Sequence, residues 1–189
     1  SPNEAILTRN HCHAVTLNLY QGQGTSINAV SDLTANLTSD SDIQFFDSSG
    51  DCQAGTPTKA AITISSGSSQ SGVFYVRGIN VSENKSFGVT PVSAPDVVYQ
   101  PQHQPVRIRK PVLRFFGPAA IAEGICARFD AQTYMADGTS PFSPPISRDL
   151  PIASNSLRSF YSDASCSGSL AASLNFAASL SDSSIWVKP

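Results

Sequence analysis

Four cysteines stand in this 189-residue chain, and their spacing constrains the fold more than any other feature. Cys12 and Cys52 are 40 residues apart, and so are Cys126 and Cys166. Four cysteines permit three pairings, which one sequence rarely resolves. Here internal similarity decides. Shifted by 114 residues, Tyr20 falls on Tyr134 and Phe46 on Phe160. The run from Phe45 to Cys52 matches the run from Ser159 to Cys166. Further on, Ile62-Thr63-Ile64 answers Leu174-Asn175-Phe176. Gly72-Val73-Phe74-Tyr75-Val76 answers Ser184-Ile185-Trp186-Val187-Lys188 at a shift of 112, so a loop differs by two residues. Self-similarity at this scale reads as two copies of one domain. The pairings Cys12–Cys52 and Cys126–Cys166 follow, one in each copy. The alternatives are four free thiols in a reducing compartment, or a structural zinc site built without a C-x-x-C pair. Disulfides imply an oxidising compartment: extracellular, cell surface or periplasm.

Local patterning is β throughout. Val15, Leu17 and Leu19 alternate with polar neighbours, and so do Leu33, Ala35 and Leu37. Ile62-Thr63-Ile64 and Val73-Phe74-Tyr75-Val76 are further short strands. Turn clusters separate them, among them Gln21-Gly22-Gln23-Gly24 and Ser48-Ser49-Gly50-Asp51. Short alternating runs at this spacing predict sandwiches or barrels. Residues 169–180, rich in Ala and Leu, have helical appeal, but their match to the strand at Ile62 assigns them to β.

The first copy spans residues 1–94 and the second 111–189. Residues 95–110 hold Pro95, Pro101 and Pro105, which are foreign to a central strand. They read as a Pro-rich linker or edge segment. The first copy continues past its Phe74 strand, whereas this sequence stops three residues after Trp186. The second copy is therefore expected to lack its final strand, either because the boundary falls there or because another segment fills the edge. Val106-Arg107-Ile108-Arg109 could supply that segment internally.

These features resemble tandem bacterial Ig-like repeats of large secreted or cell-surface proteins. The likeness rests on a Cys before the second strand, the aromatic pair with its Asp/Ser turn, the second Cys, Ile-x-Ile, and Val-Phe-Tyr-Val. It implies two tandem immunoglobulin-like β-sandwiches used as a stalk, spacer or adhesive module, without catalysis and with no cofactor. One departure is clear. In an antibody domain a Trp packs on a disulfide joining the two sheets. Here the only Trp, Trp186, lies at the end of the second copy. Cys12 also has opposite parity to Val15, as Cys126 has to Phe129, so a peripheral staple from a strand start to a loop is expected.

Composition narrows the partners. Charged residues are 14% of the chain and the net charge is −2, which gives no reason to expect nucleic acid. No apolar run is long enough to span a bilayer as a helix. The expected partners are other domains of the same surface protein, or a host or prey surface glycan or protein. Residues 1–94 carry net −3 and the remainder net +1, the basic surplus lying at Arg107, Arg109, Lys110 and Arg114. With Phe115 beside it, this cluster is one candidate binding surface. The long loop 136–145, with Tyr134 and Phe142, is the other.

Metal sites are weakly indicated. His11 and His13 share a strand face around Cys12, and Asp40, Asp42 and Asp47 form an acid-rich stretch that could hold calcium. Neither has a complete ligand pattern. No G-x-S-x-G, H-E-x-x-H, P-loop or G-x-G-x-x-G motif occurs. The sequence therefore reads as a structural or adhesive segment. A glycan- or protein-binding module and a fibre subunit assembled by strand donation are the alternatives.

Overall fold

The computed structural model describes all residues except 1–3, 22–23, 94–101, 145–146, 153–158 and 178–179. The chain divides into two compact units, Ser1–Lys110 and Pro111–Pro189. In both, the regular structure is almost all strand, as the alternating patterns require.

The first unit runs β1 (Ala5–Thr8), β2 (His13–Val15), β3 (Tyr20–Gln21), β4 (Thr25–Ser26), β5 (Leu33–Ser39), β6 (Ile43–Phe46), α1 (Ser49–Ala54), β7 (Ala61–Ile64), β8 (Phe74–Gly78), β9 (Ser82–Ser93) and β10 (Gln102–Arg109). A five-stranded sheet, β1-β10-β9-β5-β7, and a three-stranded sheet, β2-β8-β6, accompany a small β3-β4 hairpin. Period-two alternation sets the core: Phe74, Val76 and Gly78 of β8 are buried, while Tyr75 and Arg77 are only half-buried. These meet Leu7, Phe45, Val106 and Ile108 in one apolar cluster. Gly78 has no alternative there, because a Cβ would stand 2.7 Å from Ile108 Cγ2. A second cluster joins Leu19, Ala29, Leu33 and Ile64.

The expected linker is mostly something else. Residues 102–109 form β10, an internal strand between β1 and β9; residues 95–101 lie outside the described residues. Pro105 is tolerated there for a local reason. Its partner in the β9–β10 ladder is Ser86. The Ser86 N–H donates to the Asp40 carboxylate at 2.7 Å, and its carbonyl accepts from Asp40 N at 3.2 Å. Both backbone groups of Ser86 thus face away from β10, so position 105 needs no N–H toward β9. On the other side β1 pairs only with Val106–Arg109. This strand is engaged inside the first unit and is not available to complete the second.

The turn expected at residues 48–51 opens a short helix. Ser48 caps α1: its hydroxyl accepts from Asp51 N at 3.1 Å and donates to the Asp51 carboxylate at 2.7 Å. Gly55 ends the helix at φ 78, a backbone that glycine adopts without steric cost. The helix carries Cys52, fully buried, to Cys12 just ahead of β2. The staple starts just ahead of a strand, as expected, but it ends on a helix rather than a loop, and its Cys52 end is fully buried.

The second unit runs β11 (Val112–Phe116), β12 (Ala127–Tyr134), β13 (Arg148–Pro151), β14 (Ser159–Tyr161), β15 (Ser173–Phe176) and β16 (Asp182–Lys188). Its sheets are β11-β12-β16-β14 and β13-β15. Ala131, Leu174, Phe176 and Ile185 form its core, with Phe129, Leu150 and Phe160 packed against them. The Ala/Leu-rich stretch contains a strand, β15. The Cys126–Cys166 disulfide joins the start of β12 to a turn.

The order β12-β16-β14 repeats β2-β8-β6, and β13-β15 repeats β5-β7. The registers correct the sequence alignment by one residue. His13 faces Val76, and Ala127, in the same place after its cysteine, faces Val187. Val187 therefore answers Val76, at a shift of 111, and the loop differs by three residues rather than two. Likewise Phe45 faces Val76 and Phe160 faces Val187, so Phe160 answers Phe45. A slip of one residue would exchange faces. In the observed register Ile185 takes the buried place of Phe74, and Trp186 is half-buried.

Candidate functional site

The basic candidates divide between the units. In β10, Arg107 Nε pairs with Glu4 at 2.5 Å and with Glu83 at 3.2 Å. The hydrogen bond to Glu4 holds the Arg107 guanidinium above its usual pKa. Arg109 reaches Glu83 at 2.9 Å, and Lys110 is exposed just after the strand. Two of these cations thus already have acidic partners on the same sheet. In the second unit Arg114 lies 5.0 Å over the Tyr134 ring, a cation–π contact. The Tyr134 hydroxyl donates to Gln132 at 2.7 Å.

The long loop is tied down rather than presented. Asp137 accepts from the backbone N–H groups of Thr139 at 2.8 Å and Ser140 at 3.0 Å, and from the Ser140 hydroxyl at 2.9 Å. These bonds lower its carboxyl from 3.8 to about 2. Phe142, expected as an exposed binding aromatic, is only 7% exposed. Its N–H donates to the Thr133 carbonyl at 2.9 Å, and its carbonyl accepts from the Thr133 hydroxyl at 2.6 Å. Those bonds turn the loop back onto β12 and withdraw the ring.

The depressed pKa has a pH consequence. A carboxyl whose folded pKa lies below its unfolded value stabilises the fold while it is ionised. That contribution is complete above the usual value of 3.8 and is lost as pH falls through about 2. The Asp137 carboxyl carbon is expected to titrate near 2 by NMR. In Asp137→Asn, the part of the acid destabilisation that Asp137 causes disappears.

Neither metal candidate assembles into a cluster: among the described residues no three His, Cys, Asp or Glu groups gather as a metal site. His13 Nε2 accepts from Thr8 N at 3.0 Å, and its ring meets His11 edge-on at 4.8 Å. Burial lowers the His11 pKa, which favours the neutral ring. Asp40 binds Ser86, Asp42 takes Asn80 at 2.9 Å and Lys85 at 3.1 Å, and Asp47 pairs with Lys59. Asp40 and Asp42 share the β5–β6 turn and Asp47 follows β6, and each carboxylate is held by different partners.

One concave feature was not expected. An open groove of about 650 Å³ in the second unit is lined by apolar side chains, among them Phe115, Ile121, Phe129, Phe160, Ile185 and Val187. Phe115, the one sequence candidate in this group, is 53% exposed. The other residues read as ordinary core positions in sequence. The available signal was that their first-copy counterparts are followed by two more strands. Among the described residues no helix is long and apolar enough to cross a membrane. No protein-family model matches this chain, and no curated protein matches it in sequence.

Proposed function

We propose that this chain is a non-enzymatic structural or adhesive segment, a stalk or spacer of a bacterial cell-surface or secreted protein. In this reading it is made of two tandem immunoglobulin-like sandwiches. Serial construction carries the proposal: two compact units, each with a disulfide closing a 40-residue span, have only Lys110 and Pro111 between β10 and β11. With β2, β8 and β6 named B, E and D, and β5, β9 and β10 named C, F and G, the grouping of the first unit's strands into two sheets supports this reading. β7, which returns to β5 after β6, is an addition. In the second unit β12, β16, β14 and β13 take the places of B, E, D and C. The bacterial source rests on the sequence resemblance alone.

The test is made on cells of the source organism. An antibody against the chain is expected to label intact cells, and external protease to remove the label. A membrane-impermeant thiol reagent is expected to leave all four cysteines unmodified until reductant is added. Labelling only after permeabilisation, or thiols that react without reductant, would overturn the proposal.

A further inference from the structure

The outer face of the four-stranded sheet in the second unit is built differently from its counterpart in the first. Side chains alternate along each strand, so those between the buried Ala131, Ile185 and Val187 point away from the core. The registers set them in rows: Tyr161, Trp186 and Arg128 across β14, β16 and β12, then Ser184, Asp130 and Phe116 across β16, β12 and β11. The first row answers Phe46, Tyr75 and Ala14 of the first unit. There α1 follows β6 and packs on β6 and β8, Arg77 donates to the Cys52 carbonyl at 2.8 Å, and Phe46 is 0% exposed. In the second unit residues 162–168 form no helix, and Tyr161 and Trp186 are both half-buried. The only tryptophan of the chain thus lies on the outer side of a sheet.

A fixed polar group lies between the aromatic rings. The Arg128 guanidinium donates to the Asp130 carboxylate at 2.8 Å and to the Ser184 hydroxyl at 2.9 Å, and that hydroxyl donates to Asp130 at 2.7 Å. This triangle uses two of the five guanidinium N–H groups and one carboxylate oxygen, and the two charged side chains stay 55% and 42% exposed. Phe116, 45% exposed, flanks Asp130 on the other side. Charge on the face is nearly balanced: Arg114, Arg128 and Lys188 stand with Asp130 and Asp182. Arg128 is paired with Asp130, and Arg114 lies over the Tyr134 ring. A polyanion or a polycation therefore meets no large excess of opposite charge. What the face offers is ring surface beside donors and acceptors that are already held in place. Neutral sugars have the matching chemistry, with apolar C–H faces and a rim of hydroxyls.

We propose that this face binds a neutral oligosaccharide. Trp186 and Tyr161 stack on the C–H faces of its rings, and Arg128, Asp130 and Ser184 bond to its hydroxyls. At the usual strand spacing the face runs about 14 Å from β14 to β11, wider than a single sugar ring. That width favours a chain of sugars over one. The site names a ligand class for the adhesive side of the proposed function, and it rests on that reading, although only the second unit takes part.

The test titrates the intact chain with cellohexaose, maltohexaose, chitohexaose and mannohexaose, and with the acidic hexamer of galacturonic acid. Trp186, the only tryptophan, reads the site directly by fluorescence. A saturable change is expected with at least one neutral hexamer, with amide shifts at Ser184 and Trp186 and none at their first-unit counterparts, Val73 and Tyr75. Arg128→Ala and Tyr161→Ala are expected to keep the circular dichroism spectrum and to bind about tenfold more weakly or worse. Trp186→Ala, followed by calorimetry, is expected to lose binding; if it does not fold, the other two variants decide. Arg109→Ala, in the first unit, is expected to bind as the parent chain does. A flat response to all four neutral hexamers would overturn the proposal, as would binding of the acidic hexamer alone, or binding that Arg128→Ala and Tyr161→Ala leave unchanged. So would concentration-dependent self-association that Arg128→Ala abolishes, because the face would then meet a second copy. A chain that labels on intact cells and ignores every sugar sinks only this site. A chain that labels only after permeabilisation sinks the surface reading, whatever the titrations give.

Discussion

Ile108→Ala is expected to destabilise the first unit by about 2–5 kcal/mol, the range for truncating a fully buried isoleucine. Its side chain is 0% exposed and packs with Leu7, Phe45 and Val76 between the two sheets. Loss of three carbons would leave a cavity that β1 and β9, each fixed by its own ladder, cannot collapse to fill. The control is the next residue. Arg109→Ala removes an exposed partner of Glu83 and is expected to cost less than about 1 kcal/mol. Urea unfolding followed by circular dichroism measures both, as a shift in midpoint at constant slope. If residues 102–109 were a linker, both substitutions would be neutral.

Removing the disulfides is expected to affect the two units unequally. Each closes a 40-residue span, and the chain-entropy model gives both about 4 kcal/mol. What differs is the core that remains. The first unit keeps two apolar clusters, the larger of them built with side chains of β1, β9 and β10. The second keeps one cluster with part of its floor open to the groove. Cys126→Ala with Cys166→Ala is therefore expected to leave the second unit unfolded at 25 °C, whereas Cys12→Ala with Cys52→Ala leaves the first folded with a lower midpoint. The only tryptophan, Trp186, lies in the second unit, so its fluorescence reports that unit alone. Loss of its native emission in the first double mutant and retention in the other is the expected result. Equal losses of stability with both units still folded would show that the groove does not weaken the second core.

Much of this architecture is legible in sequence because it depends on short-range pattern. The β character follows from alternation, and the cysteine partners follow from a spacing that occurs twice. What escaped depends on long-range pairing. Pro105 argues against an internal strand until Ser86 is seen to be bonded to Asp40 instead of to β10. The six residues of α1 are too few to show helical periodicity, although the Ser48 and Asp51 cap was visible as a turn signal. The register around Trp186 slipped by one because hydrophobic residues stand at three successive positions, 185 to 187, and only the cross-strand partners choose the face. Phe142 read as a surface aromatic because its loop is rich in proline and serine; Thr133 binds it back. The groove could not be read from any local segment, since it consists of positions left uncovered.

The parallel pairing of β1 with β10 has a mechanical meaning for a chain that works in series. Ala5 lies beside Val106, and Thr8 beside Arg109. In the proposed stalk, tension would enter the first unit at the start of β1 and leave it at the end of β10, and so would pull the two strands past each other along their length. The inter-strand hydrogen bonds then bear the load together, in shear, and cannot be opened one after another like a zip. The Val106 and Ile108 side chains, locked in the core from the same strand, must be dragged out in the same step. Force applied through the termini therefore meets this unit in its most resistant direction.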